Sequence, residues 1–98
     1  MAVKQKTLSW DASIALDVTG YKLFVEPIGT PVTAASQSHD LGNVTSVDLN
    51  TLLGNVDGTY NLGLAAYDDV GNEGPLAVIN DVPLDFVAPD APTNLVIT

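Results

Sequence analysis

The chain contains no cysteine and no arginine among its 98 residues, and it has a single histidine. The missing cysteines exclude a disulfide framework, a zinc–thiolate site and a thiol nucleophile. Three lysines stand against twelve acids, so the net charge is −9 and the chain lacks the basic surface that nucleic-acid binding requires. No apolar run reaches the roughly 18 residues of a membrane-spanning helix. The sequence therefore predicts neither a nucleic-acid partner nor membrane insertion.

The length of the chain suits one domain with one hydrophobic core. All three lysines lie at or before Lys22, and the residues after it carry ten acids and no lysine or arginine. Most of the surface is therefore expected to repel anions, including acidic lipid headgroups. The first residues carry Lys4 and Lys6 but no apolar segment of secretory-signal length, so we expect no signal peptide within this chain.

Eight glycines and six prolines recur at intervals that interrupt most helices. Short runs rich in valine, leucine, threonine and tyrosine alternate with turn-forming clusters, which is typical of strands joined by turns. We predict strands over residues 3–10, 18–26, 32–35, 45–49, 59–68, 76–86 and 93–98. Residues 36–43 are expected to form a loop, and residues 87–92 a stiff proline-rich linker.

Alternation along these strands separates a core face from an outer face. The inward positions are Trp10, Tyr21, Leu23, Leu62 and Leu64. Phe24 and Tyr67 fall on the outward faces of neighbouring strands, where we expect an exposed cross-strand aromatic pair. Such a pair stabilises the sheet or offers a sugar ring or a peptide a binding surface.

Four segments occur in a recognisable order and spacing: Leu8-Ser9-Trp10, residues 18–23, Gly58-Thr59-Tyr60 and residues 67–74. With them the chain resembles the fibronectin type III family, in the variety common in tandem arrays of bacterial surface and secreted proteins. The resemblance implies an all-β, two-sheet antiparallel immunoglobulin-like sandwich in which the Tyr60 hydroxyl bonds back to the preceding connector. It also implies an extracellular or cell-surface location and a role as a spacer or protein-interaction unit.

The resemblance is out of phase with the family. The chain begins almost directly at the family's second strand, whereas residues 91–98 resemble its first strand. We therefore expect a sandwich over residues 1–86 that lacks its own strand A, followed by a linker and a strand A-like segment over residues 87–98. That last segment is a disordered tail, a segment docked locally in a non-native way, or a strand donated head-to-tail to another copy. For the donated strand, the candidate interaction residues are Asn94, Leu95 and Ile97.

No catalytic arrangement is recognisable. His39 stands between Ser38 and Asp40, but adjacent residues on an extended chain point to opposite sides, so their order builds no relay. We expect an exposed loop histidine, no enzymatic activity and no cofactor.

One acidic loop offers weak candidates for calcium, namely Asp68, Asp69, Asn72 and Glu73. Their spacing does not match a twelve-residue calcium loop, so turn formation is the favoured role. Asp11 and Asp17 are expected at the same pole, which keeps a calcium site in consideration. The alternative function is a carbohydrate- or calcium-binding module that uses the 68–73 loop or the exposed aromatic face.

Overall fold

The computed structural model describes residues 3–15 and 17–97, which form six strands and one short helix. In chain order the elements are β1 (Thr7–Ser9), β2 (Gly20–Pro27), β3 (Ser38–Gly42), β4 (Ser46–Asp48), α1 (Leu49–Leu53), β5 (Gly58–Tyr67) and β6 (Ala77–Leu84). β1 pairs with β4, and a second antiparallel sheet has the order β3-β2-β5-β6. The predicted all-β class with two antiparallel sheets is confirmed, and the architecture is sandwich-like.

The core lies between the two sheets. Its buried members are Leu23, Leu49, Leu62, Leu84 and Phe86, and Leu8 and Val47 of the small sheet pack against them. Of the five predicted core residues, Tyr21, Leu23 and Leu62 are buried, whereas Trp10 and Leu64 are half-buried. The rings of Trp10 and Tyr21 pack with their centroids 5.6 Å apart.

Two predictions between β2 and β4 are wrong. Residues 32–35 form no strand, because a turn closes there: Ser36 N donates to the Thr33 carbonyl oxygen and Thr33 N to the Ser36 hydroxyl. Residues 36–43, predicted as a loop, contain β3. The sequence of β3 is polar because an edge strand is held by backbone pairing with β2 rather than by apolar alternation.

The connector after β4 contains the helix α1, and no helix was predicted there. Asp48 caps the helix by accepting a hydrogen bond from Asn50 N, and Gly54 ends it with a left-handed φ of 64°. The buried Asn50 side chain accepts from Lys6 N and donates to the Lys4 carbonyl oxygen, both at 2.7 Å. Because α1 has only five residues, no helix in the described ranges is long and apolar enough to cross a membrane.

The outer face of the four-stranded sheet is covered by the loop of residues 28–37, so the prediction of an exposed aromatic pair is wrong. Phe24 is only 2% exposed and lies opposite Gly63 on β5. A Cβ on Gly63 would lie 2.7 Å from Val32 Cγ1, which shows how closely the loop covers this strand. Tyr67 pairs with Gly20, four residues from Phe24 along β2, so the two aromatics are not cross-strand neighbours.

The predicted strand over residues 93–98 is absent within residues 93–97, and Thr98 lies outside the described residues. Leu95 is 94% exposed and Ile97 is fully exposed. Residues 93–97 form no strand because the chain leaves the sandwich where Val87 bridges Val3. No other strand of the described chain meets residues 93–97 there.

Candidate functional site

An apolar groove of about 240 Å³ opens between β1 and β6. Leu8, Ser9 and Trp10 form one wall, and residues 77–79 form the other. The floor consists of the core residues Leu23, Leu62 and Leu64 with Gly63. Ile79 pairs with the buried Leu62 and therefore shares its core-facing side, yet Ile79 is 54% exposed. The sandwich is thus uncovered along this side.

The edge of β1 that borders the groove carries free backbone groups. Leu49 N donates to the Lys6 carbonyl oxygen and Trp10 N to that of Thr45, so alternate residues from Lys6 onward turn toward β4. The backbone N–H and C=O of Thr7 and Ser9 therefore point away from β4. Within residues 3–15 and 17–97, no strand pairs with that edge. An unpaired edge of this kind is a template for an added strand.

A second, larger cavity of about 560 Å³ lies at the pole where β1 ends. Trp10, Tyr21 and Tyr67 contribute aromatic walls. Its carboxylates are Asp11, Asp17, Asp68 and Glu73. The predicted meeting of Asp11 and Asp17 with the 68–73 loop at one pole is confirmed.

The Asp68 carboxylate organises the loop that follows β5. It accepts hydrogen bonds from Val70 N at 3.0 Å, Asn72 N at 2.9 Å and the Asn72 side-chain amide at 2.9 Å. The Asn72 side chain, then its backbone N–H, hold the pKa of Asp68 below its ordinary value. These contacts confirm turn formation by Asp68. The described residues contain no group of three or more His, Asp or Glu side chains arranged to hold a metal ion.

Tyr67 is tied into a polar cluster on the outer face. The Tyr67 hydroxyl donates to Asp40 Oδ1 at 2.7 Å. The end of the Tyr67 side chain lies so close to Gly20 that a Cβ on Gly20 would overlap it. Lys22 Nζ lies 5.6 Å from the Tyr67 ring centroid and 3.7 Å from a carboxylate oxygen of Glu73. The hydrogen bond lowers the pKa of Asp40 and raises that of Tyr67. The contact with Asp40 was not predicted, because it depends on the pairing of β3 with β2.

His39 is not an exposed loop residue, so that prediction is wrong. It lies in β3 opposite Leu23 and is half-buried, because the β2–β3 pairing turns it to the core side. It lines a cavity with Tyr60, Leu52 and one carboxylate, Glu26. The residues around His39 show no apolar pattern from which this placement could be predicted.

Comparison of the chain with protein-family models, with curated proteins and with solved structures finds no match in any of the three. Membership in the fibronectin type III family therefore stays a prediction from the motifs. One contact that the resemblance implied is present, since the Tyr60 hydroxyl donates to the Val56 carbonyl oxygen at 2.7 Å.

Proposed function

We propose that the chain is a non-catalytic module with a fibronectin type III-like, immunoglobulin-like sandwich, serving as a spacer or protein-interaction unit of an extracellular or cell-surface protein. The observation that carries the proposal is the exposure of Leu95 and Ile97, at 94% and in full, on a segment without regular secondary structure beyond the sandwich. Contiguous apolar surface left open in this way is typical of interaction sites. The order of the sequence motifs supports the family and the location.

The structural contacts of the reactive side chains support a non-catalytic role. The Asp68 carboxylate is occupied by hydrogen bonds that form its own turn, and the Tyr67 hydroxyl is bonded to Asp40. His39 faces the core side and shares its cavity with the single carboxylate of Glu26. These groups therefore contribute to the structure of the module.

Limited proteolysis at concentrations where the chain is monomeric tests the proposal. We expect cleavage first within residues 87–97, which leaves a resistant body that melts cooperatively, because exposed extended segments are the preferred sites of nicking. Cleavage of the body as fast as the segment would contradict an independently folded module.

A carbohydrate- or calcium-binding module is the alternative. The cavity beside Trp10 favours it, because aromatic walls and a carboxylate rim suit a sugar ring with its hydroxyl groups. The exposed-aromatic-face version is not retained, since Phe24 is buried. Thermal melting with millimolar calcium, and separately with simple monosaccharides, distinguishes the two functions. We expect no shift; a raised Tm that Asp68→Ala abolishes and Asp90→Ala preserves would favour the alternative.

A further inference from the structure

We propose that the groove between β1 and β6 of one copy binds residues 95–97 of a second copy, which add to the free edge of β1 as an antiparallel strand. This inference rests on the proposed function, because it names the partner of the interaction module. The occupant is another copy of the same chain, and the contact joins two different surfaces.

The two surfaces have backbone groups that can pair. Thr7 and Ser9 present their N–H and C=O groups to the groove side of β1, as the pairing with β4 requires. The segment of residues 95–97 is exposed and forms no strand, so its own backbone groups are available. A donated strand satisfies the N–H and C=O groups of Ser9 with those of Val96 through main-chain hydrogen bonds.

Side-chain alternation sets the register. If Val96 exchanges hydrogen bonds with Ser9, antiparallel pairing brings Leu95 opposite Trp10 and Ile97 opposite Leu8. Leu95 and Ile97 then point to the same side as Trp10 and Leu8, which is the side of the groove. Their side chains cover Ile79 and the floor of the groove, and Val96 stays on the outer face.

Charge does not oppose the contact where the strand docks. The residues that line the groove include no Asp, Glu, Lys or Arg, and residues 93–97 are also uncharged. Two copies that each carry a net charge of −9 repel one another, but no charge is desolvated where the strand docks.

The segment cannot reach the groove of its own copy in this direction. It leaves the sandwich where Lys4 N donates to the Phe86 carbonyl oxygen and Val3 bridges Val87. An antiparallel strand must enter beside Trp10, roughly 23 Å away at ~3.3 Å per residue. The chain from Val87 to Asn94 spans at most roughly 25 Å when fully extended, which leaves no length for the necessary reversal. A second copy has no such constraint.

Because donor and acceptor surfaces differ, each copy both gives and receives a strand. Such heterologous contacts produce open chains of molecules unless the rotation between neighbours closes a ring. In such a chain of copies, each module acts both as a spacer and as an interaction unit.

Disulfide trapping tests this inference. Because the chain has no native cysteine, only the introduced cysteines can form a disulfide. One full-length chain carries Ser9→Cys and another carries Val96→Cys; the two are mixed under mild oxidation. We expect a heterodimer on non-reducing gels, because directly opposed residues of an antiparallel pair lie within disulfide range. The matched control is Ser46→Cys, which is also exposed and is paired with Ser9 but lies one strand farther from the donor. We expect at least about tenfold less heterodimer with it.

Adding Ile97→Asp to the Val96→Cys chain gives a second control. Ile97 is fully exposed in the single chain, so folding is unaffected, yet we expect the heterodimer yield to fall by about tenfold or more. Equal trapping of Ser9→Cys and Ser46→Cys would overturn the inference. So would a cross-link formed within one chain that carries both Ser9→Cys and Val96→Cys, since this indicates self-insertion. If trapping fails while proteolysis still yields a cooperatively melting body, strand donation is wrong and the module stands.

Discussion

Val32 Cγ1 occupies the space above Gly63, at 2.7 Å from the position where a Cβ on that residue would lie. Gly63 pairs with Phe24, which is almost completely buried. The loop of residues 28–37 is also fixed by Asn61, whose side-chain amide donates to the Thr30 carbonyl oxygen at 2.9 Å. The absence of a side chain at Gly63 therefore lets the loop close over the outer face of the sheet.

Gly63→Ala is expected to destabilise the protein by about 1–3 kcal/mol, because the added methyl group overlaps Val32. In the Val32→Ala background, the nearest remaining contacts lie at 3.5–3.6 Å, which is ordinary van der Waals distance. The cost of Gly63→Ala should therefore largely disappear there. A double-mutant cycle from urea unfolding measures the coupling. Additive effects of the two substitutions would contradict the packing described above.

Asn50→Ala is expected to cost about 1–3 kcal/mol, because it leaves the Lys6 N–H and the Lys4 carbonyl oxygen without their partner. Hydrogen exchange of the Lys6 amide should accelerate in the variant. Asn43→Ala, at an exposed position, is the matched control and should change neither quantity. Unchanged protection of Lys6 after Asn50→Ala would show that Asn50 does not fasten this segment.

The contribution of the Tyr67–Asp40 hydrogen bond to the stability of the protein should decrease at both low and high pH. The lowered pKa of Asp40 means that its contribution is full above the ordinary Asp value of about 4 and is lost as pH falls through the folded-state pKa. The raised pKa of Tyr67 means that its contribution is full below the ordinary Tyr value of about 10 and is lost above it.

We therefore expect the stability difference between the parent and Tyr67→Phe to be constant from about pH 5 to 9 and to shrink outside that range. Urea unfolding across pH measures it. Tyr60→Phe is the control, since the Tyr60 hydroxyl donates to the neutral carbonyl oxygen of Val56, and its difference should not shrink in acid. A flat Tyr67→Phe difference down to the acid limit would exclude an ionised Asp40 as the partner.

Added salt should strengthen self-association. Like copies with a net charge of −9 repel one another, and salt screens this repulsion, whereas the proposed contact contains no ion pair that screening would weaken. Sedimentation velocity at low and high sodium chloride measures the change. Dissociation on adding salt would instead indicate a contact held by charged pairs.

Much of the sandwich could be predicted because the alternation of apolar and polar residues along a strand indicates which side chains are buried. Leu8 is half-buried between the exposed Thr7 and Ser9, and the strand around Leu62 follows the expected bounds closely. Pro83 lies in β6, at the edge of its sheet, as its missing N–H requires.

The rest depended on contacts between residues far apart in sequence. Alternation assigned Phe24 to an outer face correctly, but its burial depends on a loop that packs over Gly63. β3 carries no apolar alternation, so the placement of His39 and Asp40 could not be predicted before the pairing with β2 was known. The meeting of Asp11 and Asp17 with the 68–73 loop could be predicted from the order of the strands. The exposure of Ile79 could not be predicted, because it depends on how the two sheets pack together.

The most direct measurement is the solution mass of the unmodified chain by light scattering over a wide range of concentrations. We expect the mass to rise continuously with concentration, and Ile97→Asp to abolish the rise. Ile28→Asp, which adds the same charge at another exposed isoleucine, should preserve it. A chain that stays monomeric at every concentration, or growth that survives Ile97→Asp, would contradict strand donation between copies.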